Sequence, residues 1–293
     1  MRALLMINAR ARVGAERTDE ICRAFNAAGW EVVTEPLGER PATEIVEGYQ
    51  DKPSFDVGVV GGGDGSIMAS LPAFVGRPLP LGIIPLGTFN DLARALEIPL
   101  EPAAAVEVIL AGRRRPIDVG CVNGRYFLTE ASVGISTHIA RRQTAEVKKS
   151  LGVISALTTT ATTIWNARPF NVTVAYDGRI EQLRTIQLTV ANSFHFGGLI
   201  TNRVASLEDG QLELYSLHIE RWADALGLIK PIMKQEVHDS PAITTRRSTR
   251  FEVRTRRPRH IYADGEPATL TPATFEVLPR ALTVCVPPQQ KEA

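Results

Sequence analysis

The sequence predicts an α/β domain with a parallel sheet, followed by a second domain that is a mostly antiparallel β-sandwich. The first 120 residues or so alternate between strand-like and helix-like segments, as βαβ units around a parallel sheet do. After about Gly120, short runs rich in β-branched and aromatic residues are separated by turn residues, which is typical of antiparallel sheet. At 293 residues the chain is long enough for both domains. We therefore expect a first domain at 1–122, rejoined by a tail at about 280–293, a second domain at 123–279, and a cleft between them.

The elements of the first domain follow in order along the chain. Apolar runs predict strands, and the amphipathic stretches between them predict helices. Strands are expected at 2–9, 31–37, 55–60 and 79–87, and helices at 17–30, 42–50, 66–75 and 89–98. The segment 102–120 adds one more helix and one more strand.

The second domain is predicted from shorter strands. They are expected at 125–134, 170–180, 183–193, 210–219, 250–258 and 274–287. Two helical segments, 150–167 and 221–236, interrupt them. The first carries five threonines, so we interpret it as a buried or interfacial helix and not as a membrane span.

Composition and charge exclude several classes of protein. A formal net charge of +1 gives no electrostatic reason to expect nucleic acid as a partner. The three cysteines are far apart and form no CxxC pair, which argues against a disulfide framework or a zinc site and for a reducing compartment. The apolar run at the start is too short for a signal peptide. We expect a cytoplasmic protein whose membrane contact is peripheral, and the sequence leaves the oligomeric state open, a homodimer included.

A glycine-rich loop follows the third predicted strand. It consists of Gly61, Gly62, Gly63, Asp64 and Gly65, and Ser66 comes next. At the carboxyl end of a strand in an open α/β sheet, bare glycines let backbone N–H groups reach phosphate oxygens. The loop is neither a Walker A motif nor GxGxxG. Asp64 either caps its own helix or shares a divalent cation with the phosphates, and a tight turn without a ligand is a third interpretation.

A second loop with polar side chains follows the next predicted strand. Gly87 forms the turn, and Thr88, Asn90 and Asp91 open the helix after it. Since neighbouring parallel strands end at the same edge of a sheet, we expect this loop beside the glycine loop. Each polar residue by itself suits an ordinary N-cap. Together they bring a hydroxyl, an amide and a carboxylate to bare backbone, which favours a phosphate site.

The two loops carry a resemblance. VVGGGDGSIMAS at 59–70 and IIPLGTFNDLARAL at 83–96 resemble the nucleotide-binding core of the diacylglycerol-kinase catalytic family, which includes bacterial lipid kinases and sphingosine and ceramide kinases. The resemblance continues in order through 117–136, 196–217 and 262–268, so it covers most of the chain. It implies a first domain like that of NAD kinases and phosphofructokinases, ATP and Mg²⁺ as cofactors, and transfer of the γ-phosphate to a lipid hydroxyl.

The resemblance also implies individual roles. Nucleotide contacts are implied for Asn8, Thr34, Gly61, Gly62, Gly63, Asp64, Gly65, Ser66, Gly87, Thr88, Asn90 and Asp91. The family's Asn-Pro-x-Ser/Ala-Gly opening keeps only its asparagine, Asn8, in this sequence, and its GGDGT motif ends in Ser66, which keeps the hydroxyl.

Three carboxylates outside the loops are implied to act in the reaction or to bind metal. The turn Asp264-Gly265-Glu266 is typical of an ordinary hairpin, but in the family it carries the proposed general base, with Asp264 and Glu266 as alternatives. Mg²⁺ is implied at Asp64 and, in the second domain, at Asp209 with the backbone carbonyls of Ser206 and Gln211. A plain Asp-Gly turn is the alternative there, and such a metal is either structural or catalytic.

An arginine-rich stretch, 246–259, offers two interpretations. It is either the solvated face of an edge strand or a surface that docks on anionic lipid headgroups, where the substrate lies in the membrane. His195 is interpreted as a packed residue. Two other functions stay open: an NAD kinase-like or other soluble-acceptor kinase, and a lipid-binding regulatory protein without catalysis.

Overall fold

The computed structural model describes residues 1–8, 14–49, 54–88, 90–135, 167–192, 195–196, 200–201, 207–218 and 242–288. The chain forms two compact units: unit 1 comprises Met1–Val119 with Pro279–Ala293, and unit 2 comprises Gly120–Leu278. The helices expected at 150–167 and 221–236 lie outside the described residues, apart from Ala167. Within the described parts, no helix combines the length and the apolar character needed to cross a membrane.

The helices and strands have the following bounds. The strands are β1 (Arg2–Asn8), β2 (Glu31–Leu37), β3 (Val57–Gly62), β4 (Leu81–Pro85), β5 (Arg114–Val122), β6 (Arg125–Phe127), β7 (Glu130–Gly134), β8 (Phe170–Tyr176), β9 (Arg179–Thr185), β10 (Gln187–Ala191), β11 (His195–Phe196), β12 (Ile200–Thr201), β13 (Leu212–Leu217), β14 (Ile243–Ser248), β15 (Arg250–Thr255), β16 (His260–Ala263), β17 (Glu266–Leu270) and β18 (Ala273–Cys285). The helices are α1 (Gly14–Ala27), α2 (Ala42–Glu47), α3 (Asp64–Ser70), α4 (Asp91–Ala95) and α5 (Pro102–Leu110), with a 3₁₀ turn at Leu71–Ala73.

Unit 1 is built on a parallel sheet with the strand order β2, β1, β3, β4. Val284 of β18 pairs in parallel with β4. Strands β3 and β4 are buried along their whole length, as expected for parallel strands covered on both faces. Helices α1 and α5 pack on one face, where Phe25 and Ile109 join the core. Phe74 packs on the opposite face of the sheet, against Gly58. A Cβ added to Gly58 would lie 2.6 Å from the Phe74 ring.

Unit 2 is built from antiparallel strands. One sheet has the order β14, β13, β10, β7, β16, β17, and a second contains β9, β8 and β15 beside residues Ala273–Glu276 of β18. The hydrophobic core draws Val190 and Leu214 from the first sheet and Phe251 and Phe275 from the second. Side chains of two sheets therefore meet face to face, as in a sandwich.

Two strands predicted as continuous are divided in the structure. The predicted strand 183–193 ends as β9 at Thr185 and resumes as β10 at Gln187 in the other sheet. The hydroxyl of Thr185 donates to the Gln187 carbonyl at 2.7 Å and accepts from its N–H at 3.2 Å, which holds the corner. The predicted strand 125–134 breaks at Leu128-Thr129. That break belongs to the site described next.

Candidate functional site

The two predicted loops lie side by side at the carboxyl edge of the parallel sheet in unit 1. Strands β3 and β4 are neighbours, with Gly62 opposite Pro85. A Cβ added to Gly87 would lie 2.5 Å from the Cα of Gly63, far inside normal contact, so the loops touch backbone to backbone. Glycine is required at this contact because the backbones of the two loops approach too closely for any side chain.

Ser66 fastens the glycine loop to the first strand. A Cβ on Gly62 would lie 2.6 Å from the Cβ of Ser66, so the helix begins directly over the strand end. The Asn8 side chain donates from Nδ2 to the Ser66 hydroxyl at 2.9 Å. Asn8 therefore lies beside the loop, as the resemblance implies, while residues 9–12 of the family's opening motif lie outside the described residues.

The carboxylate of Asp64 joins the two loops. Asp64 is the first residue of α3, and its Oδ1 accepts a hydrogen bond from the N–H of Leu92 at 3.2 Å. It thus caps α4, the helix of the second loop, and not its own helix as one interpretation expected. Its Oδ2 accepts no hydrogen bond from the described residues.

Asn90 closes the second loop on itself. It adopts the left-handed conformation, with φ 52°, and is buried. Its Oδ1 accepts from the N–H of Gly87 and its Nδ2 donates to the Gly87 carbonyl, both at 2.9 Å. The amide therefore shapes the turn, whereas Thr88 is exposed and Asp91 is partly exposed at the start of α4. The implied nucleotide contacts of these residues stay predictions.

Thr34 lies in the middle of β2, which continues to Leu37, and pairs with Leu5 of β1. It is exposed on an edge strand. Its implied nucleotide contact also stays a prediction.

In unit 2, Asp264 lies in a hairpin turn, and its carboxylate is hydrogen-bonded to the backbone between β6 and β7. Asp264 and Gly265 both have positive φ and join β16 to β17, as the ordinary interpretation of Asp-Gly predicts. The carboxylate accepts four hydrogen bonds: from the N–H groups of Leu128 at 2.7 Å and of Thr129 and Glu130 at 2.9 Å each, and from the Thr129 hydroxyl. Burial raises the pKa of Asp264 above its ordinary value, and these donors act in the opposite direction.

Glu266 contrasts with Asp264. It is the first residue of β17, pairs across the hairpin with Ala263, and is exposed. Within the described residues its carboxylate meets no hydrogen-bond or ion-pair partner. The turn therefore presents one carboxylate that is fixed in the protein and one that faces solvent.

In the implied metal loop of unit 2, the Asp209 carboxylate is paired with an arginine side chain. Arg247 donates from Nη2 to Oδ2 of Asp209 at 2.6 Å, and the N–H of Gln211 donates to Oδ1 at 3.0 Å. Ser206, the third implied ligand residue, lies outside the described residues. No cluster of three or more histidine, cysteine, aspartate or glutamate residues suited to a metal occurs in the described part of the chain. The one carboxylate among the implied ligands is thus already paired with a guanidinium, and the implied metal site stays a prediction.

The arginine-rich stretch is divided by the fold. Arg246 pairs with Glu181 through three hydrogen bonds, which together with Tyr176 hold the pKa of Glu181 below its ordinary value. Arg247 pairs with Asp209. Arg259 stacks over the ring of Phe170 at 4.0 Å. Of the seven arginines, several are thus used inside the protein and do not form one free basic surface.

Two contacts of the implied site residues were not predicted from the sequence. The backbone at Leu128-Thr129 receives Asp264 from 135 and 136 residues away along the chain, and Arg247 reaches Asp209 from 38 residues away. For the Asp264 contact, the one available signal was the Leu128-Thr129 pair, which interrupts the pattern of the predicted strand 125–134. Nothing in the sequence distinguishes Arg247 from its neighbouring arginines.

The chain is similar to known proteins over almost its whole length. Residues 2–122 match the family described as diacylglycerol kinase catalytic domain, and residues 129–286 match the YegS C-terminal NAD kinase beta sandwich-like domain. A diacylglycerol kinase of Bacillus subtilis is 31% identical over 245 residues, 81% of this chain and 80% of that protein. A diacylglycerol kinase of Staphylococcus aureus is 28% identical over 269 residues, 89% of this chain and 84% of that protein. A crystal structure described as a diacylglycerol kinase of Bacillus anthracis superposes with a TM-score of 0.78 at 25% identity, covering 98% of this chain and 97% of that one.

Proposed function

We propose that this chain, which belongs to the diacylglycerol kinase family and is therefore a lipid kinase, transfers the γ-phosphate of ATP to the hydroxyl of a diacylglycerol-like lipid and requires Mg²⁺. Membership of a kinase family implies the use of ATP. The observation that carries the proposal is the backbone contact between Gly63 and Gly87, where the two loops meet at the edge of the parallel sheet with no side chain between them. Backbone N–H groups at such an edge suit phosphate oxygens.

The proposed nucleotide site uses both loops of unit 1. The backbone of Gly61–Gly65 would contact the phosphates, with the Thr88 hydroxyl and the Asp91 carboxylate beside it. Asp64 Oδ2 and Asp91 offer carboxylate oxygens, the ligands that Mg²⁺ prefers. Bound there, Mg²⁺ would neutralise charge on the transferred phosphoryl group. Asp64 would meanwhile keep the loops together through its bond to the Leu92 N–H.

We assign the general base to Glu266 and a positioning role to Asp264. The four donors around Asp264 already use its oxygens, so it is poorly placed to receive another proton donor. Glu266 is exposed, and none of the described residues makes such bonds to it. As the lipid oxygen bonds to the γ-phosphorus, its proton passes to Glu266, and the bond from phosphorus to the bridging oxygen of ADP breaks. Asp264 would fix the turn by binding the backbone at 128–130.

We also propose that the exposed arginines of unit 2 dock on anionic headgroups. Arg254 has a side chain 71% exposed, and with Arg256 it lines a groove of about 480 Å³ whose other polar walls include Thr173 and Gln182. Each basic residue near an anionic surface is worth about 1 kcal/mol. Arg254→Ala with Arg256→Ala should weaken co-sedimentation with phosphatidylglycerol vesicles, and unchanged co-sedimentation would contradict this role.

The activity is tested with purified protein and radiolabelled ATP. The assay compares diacylglycerol in mixed micelles with NAD as acceptor, with and without Mg²⁺. We expect label in the lipid alone and only with Mg²⁺. Glu266→Gln should lower kcat by about 10²–10⁴-fold with little change in Tm. Glu252→Gln, a change of another carboxylate in unit 2 that is partly exposed and paired with Arg250 and Arg254, should leave kcat unchanged.

Three results would reject parts of this assignment. Labelled NAD without labelled lipid would indicate a soluble-acceptor kinase. Lipid binding without turnover, unaffected by Glu266→Gln or Asp264→Asn, would indicate a regulatory lipid-binding protein. Full activity of Glu266→Gln in a turning-over enzyme would exclude Glu266 as the base.

A further inference from the structure

The loop before β13 is held by an arginine at the position where the family resemblance implies a divalent cation. Asp209 accepts hydrogen bonds on both carboxylate oxygens, from the Gln211 N–H on Oδ1 and from the Arg247 guanidinium on Oδ2. The second distance, 2.6 Å, is that of a close, charge-assisted pair. The Asp209 side chain is 25% exposed and that of Arg247 40%, so the pair is partly shielded from water.

The position of Arg247 follows from the sheet. In the β13–β14 ladder, Arg247 stands directly opposite Glu213, and Glu213 is buried. From this position the Arg247 guanidinium reaches the Asp209 carboxylate. Its own neighbour Arg246 projects to the other face and pairs with Glu181, so it does not compete for Asp209.

A divalent cation and this arginine compete for the same carboxylate. Mg²⁺ demands close oxygen ligands in near-octahedral geometry, and it would have to approach an oxygen that already faces a positive guanidinium. The attached Arg247 has a high effective concentration at Asp209, whereas a free cation must lose water to bind with one carboxylate. The planar guanidinium also presents donors whose geometry matches a carboxylate.

We propose that Arg247 takes the place of a divalent cation at the Asp209 loop, so that this loop is held without metal. The guanidinium joins the loop 207–211 to β14 and balances its acidic groups. This inference does not rest on the proposed function, because it concerns the protein without nucleotide.

Thermal unfolding without nucleotide tests the inference. We would measure Tm in EDTA and in Mg²⁺ or Ca²⁺ at about 10 mM, a concentration that saturates weak sites. The proteins compared are wild type, Asp209→Asn, Arg247→Ala and the control Arg250→Ala. Arg250 is an exposed arginine on the next strand, paired to Glu252. We expect the added cation to change the Tm of wild type no more than it changes the Tm of Asp209→Asn. Arg247→Ala should have a lower Tm in EDTA and recover part of it with the cation, since Asp209 is then released, while Arg250→Ala should match wild type.

Opposite results would overturn the inference. It fails if wild type gains stability from Mg²⁺ and Asp209→Asn abolishes the gain. It also fails if Arg247→Ala unfolds like wild type, or if its lost stability is not restored by either cation. Should a variant not fold, crystals of wild type soaked in Mn²⁺ decide: an anomalous peak at Asp209 overturns the inference, and its absence there, with ordered Arg247 density on Asp209, supports it.

Discussion

Replacing Gly87 by alanine probes the contact on which the proposed nucleotide site depends. The new Cβ would lie 2.5 Å from the Cα of Gly63 and 2.8 Å from Oδ1 of Asn90. Ordinary contact between carbon atoms needs about 3.5 Å, so the two loops must separate by about 1 Å. Neither neighbour is the free end of a flexible side chain, because one is backbone and the other is bonded to the Gly87 N–H.

The expected loss follows from this displacement. Overpacking of this kind costs about 1–3 kcal/mol of stability. A displacement of about 1 Å at groups that position a substrate lowers the rate by about 10²-fold. That corresponds to about 2.7 kcal/mol in kcat/KM. The loss should appear in ATP affinity as well, because the displaced groups are the proposed phosphate ligands.

The assay combines calorimetric titration of Mg²⁺-ATP, lipid phosphorylation and thermal unfolding. Gly48→Ala is the matched control, because Gly48 at the end of α2 has φ −63° and the nearest atom to its new Cβ is 3.3 Å away. We expect Gly48→Ala to bind ATP like wild type. If folded Gly87→Ala binds Mg²⁺-ATP with wild-type affinity and retains full kcat/KM, the two-loop site is refuted.

Three further changes test other contacts. Asn90→Ala removes both hydrogen bonds to Gly87 and places alanine at positive φ, so the free energy of unfolding should fall by about 1–3 kcal/mol; an unchanged urea midpoint would contradict this. Arg246 holds the pKa of Glu181 low, so their pair adds stability above the ordinary carboxyl pKa of about 4.3 and loses it as the pH falls through the lower folded-state pKa. Glu181→Gln should therefore lower stability by about 1 kcal/mol at pH 7, with the difference from wild type vanishing in acid; a pH-independent difference would point to lost packing. Phe251→Ala empties a fully buried site between the sheets of unit 2 and should cost about 3–5 kcal/mol in chemical denaturation, and a cost under about 1 kcal/mol would show that the core there is loosely packed.

Periodicity and turn chemistry were enough to predict the fold class, and the resemblance of the motifs at 59–70 and 83–96 to a known family predicted the family. The alternation of strands and helices before Gly120 and the short antiparallel runs after it correspond to the two kinds of sheet observed, and the predicted family and enzyme class are confirmed. The predicted domain boundaries, the membrane partner and the site assignments stay predictions. Local signals failed where a side chain bends the chain, as at Thr185, whose hydroxyl turns one predicted strand into two strands of different sheets.

The sequence by itself determined which groups could do chemistry: two glycine loops after adjacent strands, and an Asp-Gly-Glu turn. It could not decide how these groups are used, because the use depends on partners far away along the chain. Only the tertiary structure engages Asp264 with the backbone at 128–130 and leaves Glu266 exposed, turns Asp64 toward the other helix, and brings Arg247 to Asp209. The physical reason is that hydrogen bonds and ion pairs act over a few ångströms in space. Composition and spacing record only neighbours in sequence, so they reveal the inventory of a site before they reveal its contacts.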